Sequence, residues 1–318
     1  GNSSFDYEAL RVPARSKSGE SAAGTTYARV AGVAFDAVDE VIGAIGKPIG
    51  LKSYRPYHSV GEDFLETYLG MIGIPVEMVT SFPTDSRVLL TAHAAHDVNI
   101  VEKIEAHVRA GNHVIITSRL LKALQGKGIE RIAELEHTGR VSLVKTFKAG
   151  RSQVAEAEKA ILIPQIGYRT NDSWELVSAI DGDNGWPLLH DADYSKGQLR
   201  VLTIPENFAD LYHYPAVALN AIRKAVTDHL PARLEGPSKV SLFAYDNGTF
   251  IAHNFRDETV EVSAVVDETS SRATDVLTKH SMPLKERHGN VATNKPPIVV
   301  AKYLTFDIKP HSFRVFRI

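Results

Sequence analysis

The side chains best suited to moving protons or gripping a polar ligand fall in two short runs. The first, Ser53-Tyr54-Arg55-Pro56-Tyr57-His58-Ser59-Val60-Gly61-Glu62-Asp63, follows a strand-like apolar run and opens an amphipathic helix. The second, Thr91-Ala92-His93-Ala94-Ala95-His96-Asp97, does the same. Two strand-to-helix junctions of this kind belong at the carboxyl edge of one parallel sheet, where open α/β folds bind their ligands. There Arg55 offers a planar fork to a carboxylate, phosphate or sugar hydroxyl, with Tyr57 and His58 beside it. Glu62, His58, His93 and Asp97 form a candidate acid/base set for hydrolysis, and two carboxylates ~5–10 Å apart across an open cleft would mark glycosidase chemistry. A local reading competes with it: Ser59 as N-cap with Glu62 three residues on is a capping box that merely starts a helix.

Other polar positions divide in the same way between ligand and packing. His93, His96 and Asp97 resemble a loose metal cluster, but His-x-x-His across a strand-to-helix turn lacks the one-face geometry of a helical pair, and no metal or cofactor is assigned. His113 opens a strand at the opposite edge and reads as structural. Thr117-Ser118-Arg119 ends an apolar strand where a nucleophile elbow would lie, yet an elbow needs small neighbours and Ser118 is followed by Arg119 and Leu120. Ser118 and Arg119 therefore remain only as pocket-lining candidates. Tyr212 and His213, before the last helix of the α/β region, suit stacking on a sugar-like ligand or a packed seam equally well. Asp181-Gly182-Asp183-Asn184-Gly185-Trp186, followed by Asp191-Ala192-Asp193, lacks the spacing and final Glu of a calcium loop and reads as a turn.

The elements that must position these groups follow from rhythm. The 318 residues are 43% hydrophobic, enough for two domains. With 36 basic against 38 acidic residues, dispersed along the chain, nucleic acid is a poor partner. Zero cysteines exclude thiol nucleophiles, thiolate metal sites and disulfides. No run approaches the ~18 apolar residues of a membrane span. Gly1 and the polar start point to a preceding segment, a removed leader or a whole domain. Residues 1–29 read as a Ser/Gly/Ala-rich lead-in, residues 30–232 as an α/β domain and residues 238–318 as a β-sandwich domain.

Within the α/β region a helix is expected from Val30 to Ile45, then strands at 48–54, 75–80, 87–92 and 113–117 alternating with helices. One helix carries a Phe64, Leu65, Tyr68, Leu69, Ile72 stripe, another a Val98, Val101, Ile104, Val108 stripe. Asp97 fits an N-cap role for the latter. A short helix at 128–136, a strand at 141–147, a hairpin-like pair across 160–181, a strand at 198–204 and a helix at 215–230 complete a parallel sheet covered on both faces. Beyond Pro231, short alternating runs and Asn247-Gly248 signal an antiparallel sandwich.

Four sequence cues carry a family resemblance: Pro48-Ile49-Gly50-Leu51, His58-Ser59-Val60-Gly61-Glu62-Asp63, Gly111-Asn112-His113-Val114-Ile115-Ile116-Thr117-Ser118, and Lys196-Gly197-Gln198-Leu199-Arg200-Val201. Through these, residues 48–230 resemble the class I glutamine amidotransferase-like, flavodoxin-like domain that follows the catalytic barrel in some glycoside hydrolases, the β-galactosidase trimerisation domain. Residues 239–318, through Asp246–Phe255 and Phe306–Phe316, resemble the small sandwich that closes many such enzymes. The sequence departs from a working amidotransferase. No cysteine stands at the elbow, and His213 is followed by Tyr214 and Pro215 where His-x-Glu is required. Nor is there room for a ~250-residue barrel. The resemblance thus implies an accessory region of a bacterial carbohydrate-active protein, periplasmic or secreted. Its implied partners are carbohydrate, an upstream catalytic domain of the same polypeptide and further copies in a homo-oligomer. The alternatives are a hydrolase built on the acid/base set and a pure scaffold, which would bury Arg55, His58 and Tyr212 in an interface.

Overall fold

The computed structural model describes residues 21–169, 172–266, 269–289 and 299–318. Of the expected lead-in, residues 1–20 lie outside the described residues, and the rest is helical: α1 spans Ser21–Ile42. It therefore starts earlier than the periodicity at Val30 indicates and stops before Gly43. Val41 is buried against Val276 and Val315, whereas Val30, Val33, Val38 and Ile42 are exposed.

The expected strand at 48–54 divides. β1 (Pro48–Ile49) pairs antiparallel with Ala244 and Tyr245, far along the chain. β2 (Leu51–Tyr54) pairs elsewhere, as part of a parallel ladder. Gly50 lies between them, and a Cβ there would stand 2.9 Å from the Pro75 carbonyl oxygen. α2 (Leu65–Met71), β3 (Val76–Val79), β4 (Arg87–Leu90), α3 (Ile100–Arg109), β5 (His113–Thr117) and α4 (Ser118–Leu124) then follow the strand-helix rhythm. Phe64 and Val98, expected on the apolar stripes, instead precede their helices and are 76% and 91% exposed.

The rhythm then changes. β6 (Leu135–Ala149), β7 (Gln153–Tyr168), β8 (Ser173–Asp181) and β9 (Asn184–Tyr194) are long strands, with tight turns joining β6 to β7 and β8 to β9, before β10 (Gly197–Leu202) and α5 (Ala216–Thr227). Gly150 at φ 58° and Gly182 at φ 60° sit in two of these turns, where an L side chain would be strained. All nine strands from β2 to β10 make one sheet in the order β3-β2-β4-β5-β10-β9-β8-β6-β7. The first five run parallel and the rest antiparallel. The expected all-parallel sheet is thus a mixed one. A parallel pair needs a long crossover, which the short turns of the β6–β9 meander do not provide. The expected pairing within 160–181 does not form, because β6 lies between β7 and β8. The expected helix at 128–136 is reduced to a 3₁₀ turn at Ile129–Arg131, since β6 already begins at Leu135.

Alternation along the strands sends side chains into two cores. Val88, Leu90, Val114 and Ile116 pack with Ile104 of α3 and Leu121 of α4. Leu89 and Ile115 pack with Leu69 of α2 and Leu219 of α5.

Beyond α5 come β11 (Ala232–Glu235), β12 (Val240–Tyr245), β13 (Thr249–Asn254), β14 (Val260–Val266), β15 (Arg272–Asp275), β16 (Ser281–Pro283), β17 (Lys285–His288), β18 (Val299–Ile308) and β19 (Phe313–Arg317). They form antiparallel sheets ordered β1-β12-β13-β19-β15-β16 and β11-β14-β18-β17 around Phe250, Phe306 and Phe316. The Asn247-Gly248 turn joins β12 to β13, with Gly248 at φ 76°. β11 pairs with β14, so the presumed link from 231 to 238 already belongs to the sandwich. No helix among the described residues is long and apolar enough to cross a membrane.

Two features fasten the bodies together. β1 is a sandwich strand supplied from before the nine-stranded sheet. Arg223, on α5 and 1% exposed, donates to the carbonyls of Ile72 at 2.6 Å, Gly236 at 2.7 Å and Pro237 at 2.8 Å, and to Asn220 Oδ1 at 3.0 Å.

Candidate functional site

The exits of β2, β4 and β5 lie side by side, so the loops that follow them meet. Glu62 reaches across this junction. Its Oε2 accepts the Ala92 N–H at 2.8 Å and the Thr117 hydroxyl at 2.5 Å, while Thr117 Oγ1 also caps α4 by accepting the Leu120 N–H at 3.2 Å. Glu62 is fully buried and its Oε1 has no hydrogen-bond partner among the described residues. The capping box is therefore absent: Ser59 Oγ donates to the Pro56 carbonyl at 2.6 Å, and α2 starts only at Leu65. Gly61 allows the crossing, because a Cβ there would lie 2.8 Å from the His93 amide nitrogen.

His93 is also fully buried, with neither ring nitrogen hydrogen-bonded among the described residues. Asp63 Oδ1 stands 3.6 Å from its Nε2 and 2.7 Å from Arg55 Nη2. Burial holds the Glu62 carboxyl above its usual range, against the pull of the Thr117 and Ala92 donors. Burial, seconded by Arg55, holds the His93 imidazole below its own. A raised acid beside a lowered base is the pattern of proton-transfer sites. Here, however, both groups lie beneath the surface, and two cavities of about 670 and 630 Å³ among the described residues open elsewhere.

The remaining predicted residues are dispersed. Asp97 ties β2 to α3: it accepts from Tyr54 Oη at 3.0 Å, from Lys103 Nζ at 2.5 Å and from the Asn99 N–H at 3.0 Å. Burial opposes its ionisation, but the Lys103 ammonium and the other donors hold its carboxyl below the ordinary range. Tyr57 and His58 are exposed, and His58 has a left-handed backbone at φ 58°. His96 is exposed, its Nε2 3.0 Å from the Val60 carbonyl. His93, His96 and Asp97 thus point to different partners. Among the described residues no group of three His, Asp or Glu side chains is arranged to hold a metal. Ser118 lines no open pocket: it is fully buried and its Oγ accepts the Ile204 N–H at 3.1 Å. Arg119 lies over the Phe208 ring at 5.0 Å and reaches the Glu206 carbonyl at 3.2 Å.

Tyr212 and His213 lie apart from this junction, on the wall of a cavity of about 670 Å³ between the two bodies. Tyr212 stacks on Tyr68 at 5.5 Å. Sequence reasoning missed Arg223, which holds this seam, and Asn254, which braces the sandwich turn beside it. Arg223 did leave a signal, as a charged position beside Leu219, Ile222 and Val226 on the inner face of α5.

A mixed sheet with helices and a carboxyl-terminal antiparallel sandwich define a two-body chain. Residues 46–207, about half of the chain, match the family described as the second domain of uncharacterized protein SSO3021, and the chain belongs to that family. Residues 231–318 match the family described as the C-terminal domain of probable glycosyl hydrolases. Among solved structures, the chain is similar to Gan42B, a GH42 β-galactosidase from G. stearothermophilus, at 13% identity and a TM-score of 0.49 over 96% of this chain and 44% of that one. It is also similar to the β-galactosidase of Bacillus circulans sp. alkalophilus, at 15% identity and 0.42 over 79% and 36%. The cytoplasmic protein STM1381 of Salmonella typhimurium LT2 aligns at 13% and 0.33 over 48% and 86%. The chain spans less than half the length of the two β-galactosidases. No curated protein matches it.

Proposed function

We propose that the chain is a non-catalytic accessory region of a glycoside hydrolase-related protein, acting in domain assembly. In this reading the parallel half of the large sheet is a degenerate amidotransferase-like, flavodoxin-like domain into which the β6–β9 meander has been inserted. The observation that carries the reading is the burial of Glu62 and His93. The carboxylate that would serve a hydrolase holds two protein donors, and neither it nor the imidazole reaches solvent. The elbow position adds support, for Thr117 there caps a helix and Ser118 is sealed inside. The match of residues 231–318 supports the link to glycoside hydrolases.

The hydrolase reading retains one observation in its favour, the opposed shifts of Glu62 and His93. Hydrolysis of a panel of nitrophenyl glycosides by the purified chain separates the two. Absence of turnover is the expected result. Turnover that Glu62→Gln abolishes, in a variant that still folds, overturns the accessory reading. Assembly with further copies or with an upstream domain belongs to the same proposal, and sedimentation analysis of the chain tests the first of these.

A further inference from the structure

The cavity between the two bodies, about 670 Å³, falls within the ~300–1,000 Å³ of small-ligand sites. Its far wall is the turn after β13, and that turn is unusually well held. Asn254, fully buried, donates through Nδ2 to the carbonyls of Glu258 at 2.8 Å, Ile308 at 3.1 Å and Lys309 at 3.1 Å, and accepts the Arg256 N–H at 2.9 Å. The segment leading into β12 is held as firmly. Phe255 N–H donates to the Lys239 carbonyl at 2.9 Å, and Ser238 Oγ donates to the Tyr212 carbonyl at 2.5 Å. Lys239 itself takes a left-handed backbone, φ 58°, which sets its ammonium 5.8 Å from the Tyr212 ring centre. A left-handed backbone at Lys239 and satisfied buried polar groups along this cavity wall hold that surface in a fixed shape.

We propose that this cavity binds a neutral oligosaccharide, an inference that rests on reading the chain as part of a carbohydrate-active protein. Phe255 supplies the apolar platform. One face of its ring stacks on His253 at 4.1 Å, yet the residue is 38% exposed and borders both this cavity and a second of about 630 Å³. A ligand lying across Phe255 extends into both, which favours a chain of sugars over one. The charges select against anions. Glu156, Glu158, Asp257 and Glu258 line the cavity against Lys239 and Arg256; Arg256 is bonded to Glu258, Lys145 Nζ stands 3.5 Å from Glu156, and His311 Nε2 lies 2.8 Å from Asp257 Oδ1. An excess of carboxylates accepts hydrogen bonds from sugar hydroxyls and repels phosphate, sulfate or uronate groups.

The test is calorimetric titration of the whole chain with lactose, cellobiose, maltose and xylobiose, using glucose 6-phosphate and glucuronic acid as anionic comparators. At least one neutral disaccharide binds with a dissociation constant of about 0.1–1 mM. Phe255→Ala and Glu158→Gln, both at surface positions and checked for an unchanged melting temperature, each weaken it about tenfold. The inference is overturned if no neutral probe binds at about 10 mM, if binding survives both substitutions, or if an anionic sugar binds more tightly. Its failure is separable from that of the accessory reading: lack of binding sinks the cavity alone, whereas glycoside turnover sinks the accessory reading whatever the titration shows.

Discussion

Replacing Arg223 by Met tests whether the two bodies behave as one. Among the described residues the guanidinium has no carboxylate in hydrogen-bond contact; it is held by three carbonyls and the Asn220 amide oxygen. Methionine keeps much of the volume and donates nothing. The Asn220 oxygen retains the Gly236 N–H at 2.9 Å, so the loss falls on the carbonyls of Ile72, Gly236 and Pro237. An orphaned buried acceptor costs about 1–3 kcal/mol, or about 3–9 kcal/mol for three. Removing a buried charge returns part of this, which leaves a net destabilisation of about 3 kcal/mol. The assay exploits tryptophan placement. The only two, Trp174 and Trp186, lie in β8 and β9, so their fluorescence follows the large sheet, whereas far-ultraviolet dichroism follows both bodies. In urea the two signals coincide for the native chain and separate for Arg223→Met, because the bodies then unfold apart. Arg223→Lys, with its single ammonium, falls between. A loss under about 1 kcal/mol with coincident transitions would refute the claim that Arg223 fastens the seam.

Three further outcomes follow from individual residues. Glu62→Ala loses about 2–3 kcal/mol by stranding the Ala92 N–H and the Thr117 hydroxyl proton, whereas Glu62→Gln keeps an acceptor there and stays within about 1 kcal/mol of native in urea titrations at pH 7. Gly197→Ala costs about 2–3 kcal/mol, because its Cβ would lie 2.2 Å from the Asn112 carbonyl oxygen and 2.5 Å from that of Val108, both backbone atoms; an unchanged urea midpoint would contradict this. His190, 1% exposed against the Tyr168 ring, is pushed by burial down to about 4. The unfolded chain takes up that proton near pH 6.5 and the folded chain resists it, so stability falls as pH drops from about 6.5 to 4, by roughly 3 kcal/mol in all. His190→Phe flattens this part of the pH profile, and an unaltered profile would show that the histidine does not carry it.

What the sequence makes legible follows from where the information is local. The strand end at Thr117 and the helix stops at Gly73 and Gly111 are visible because apolar rhythm and glycine punctuation act within a few residues, whereas the strand read as 87–92 ends at Leu90. The strand positions around the β2, β4 and β5 exits are legible for the same reason, and they bring Arg55, Glu62 and His93 to one edge. Burial is less legible. Phe64 and Val98 satisfy the helical spacing but stand just outside the helices, where spacing no longer dictates a face. Glu62 satisfies a capping spacing and forms bonds 30 and 55 residues away instead.

Least legible is pairing, because a strand's partner is a property of the whole chain. Pro48 and Ile49 read as the start of one run with Leu51, yet Gly50 divides the run between two bodies. The region of β6–β9 reads as a strand at 141–147 and a hairpin-like pair across 160–181, but β6 lies between β7 and β8, since alternation specifies a face and not a neighbour. The seam depends on such nonlocal choices. Arg223 finds acceptors at Ile72, 151 residues earlier, and at Gly236 and Pro237 just beyond its own helix. Asn254 closes a turn with Lys309, 55 residues on. A pocket assembled from such contacts has no motif, and at the edge with catalytic spelling, 58–63 and 91–97, folding buries Glu62 and His93. The open cavity lies at Tyr212, Lys239 and Phe255, which no short pattern connects.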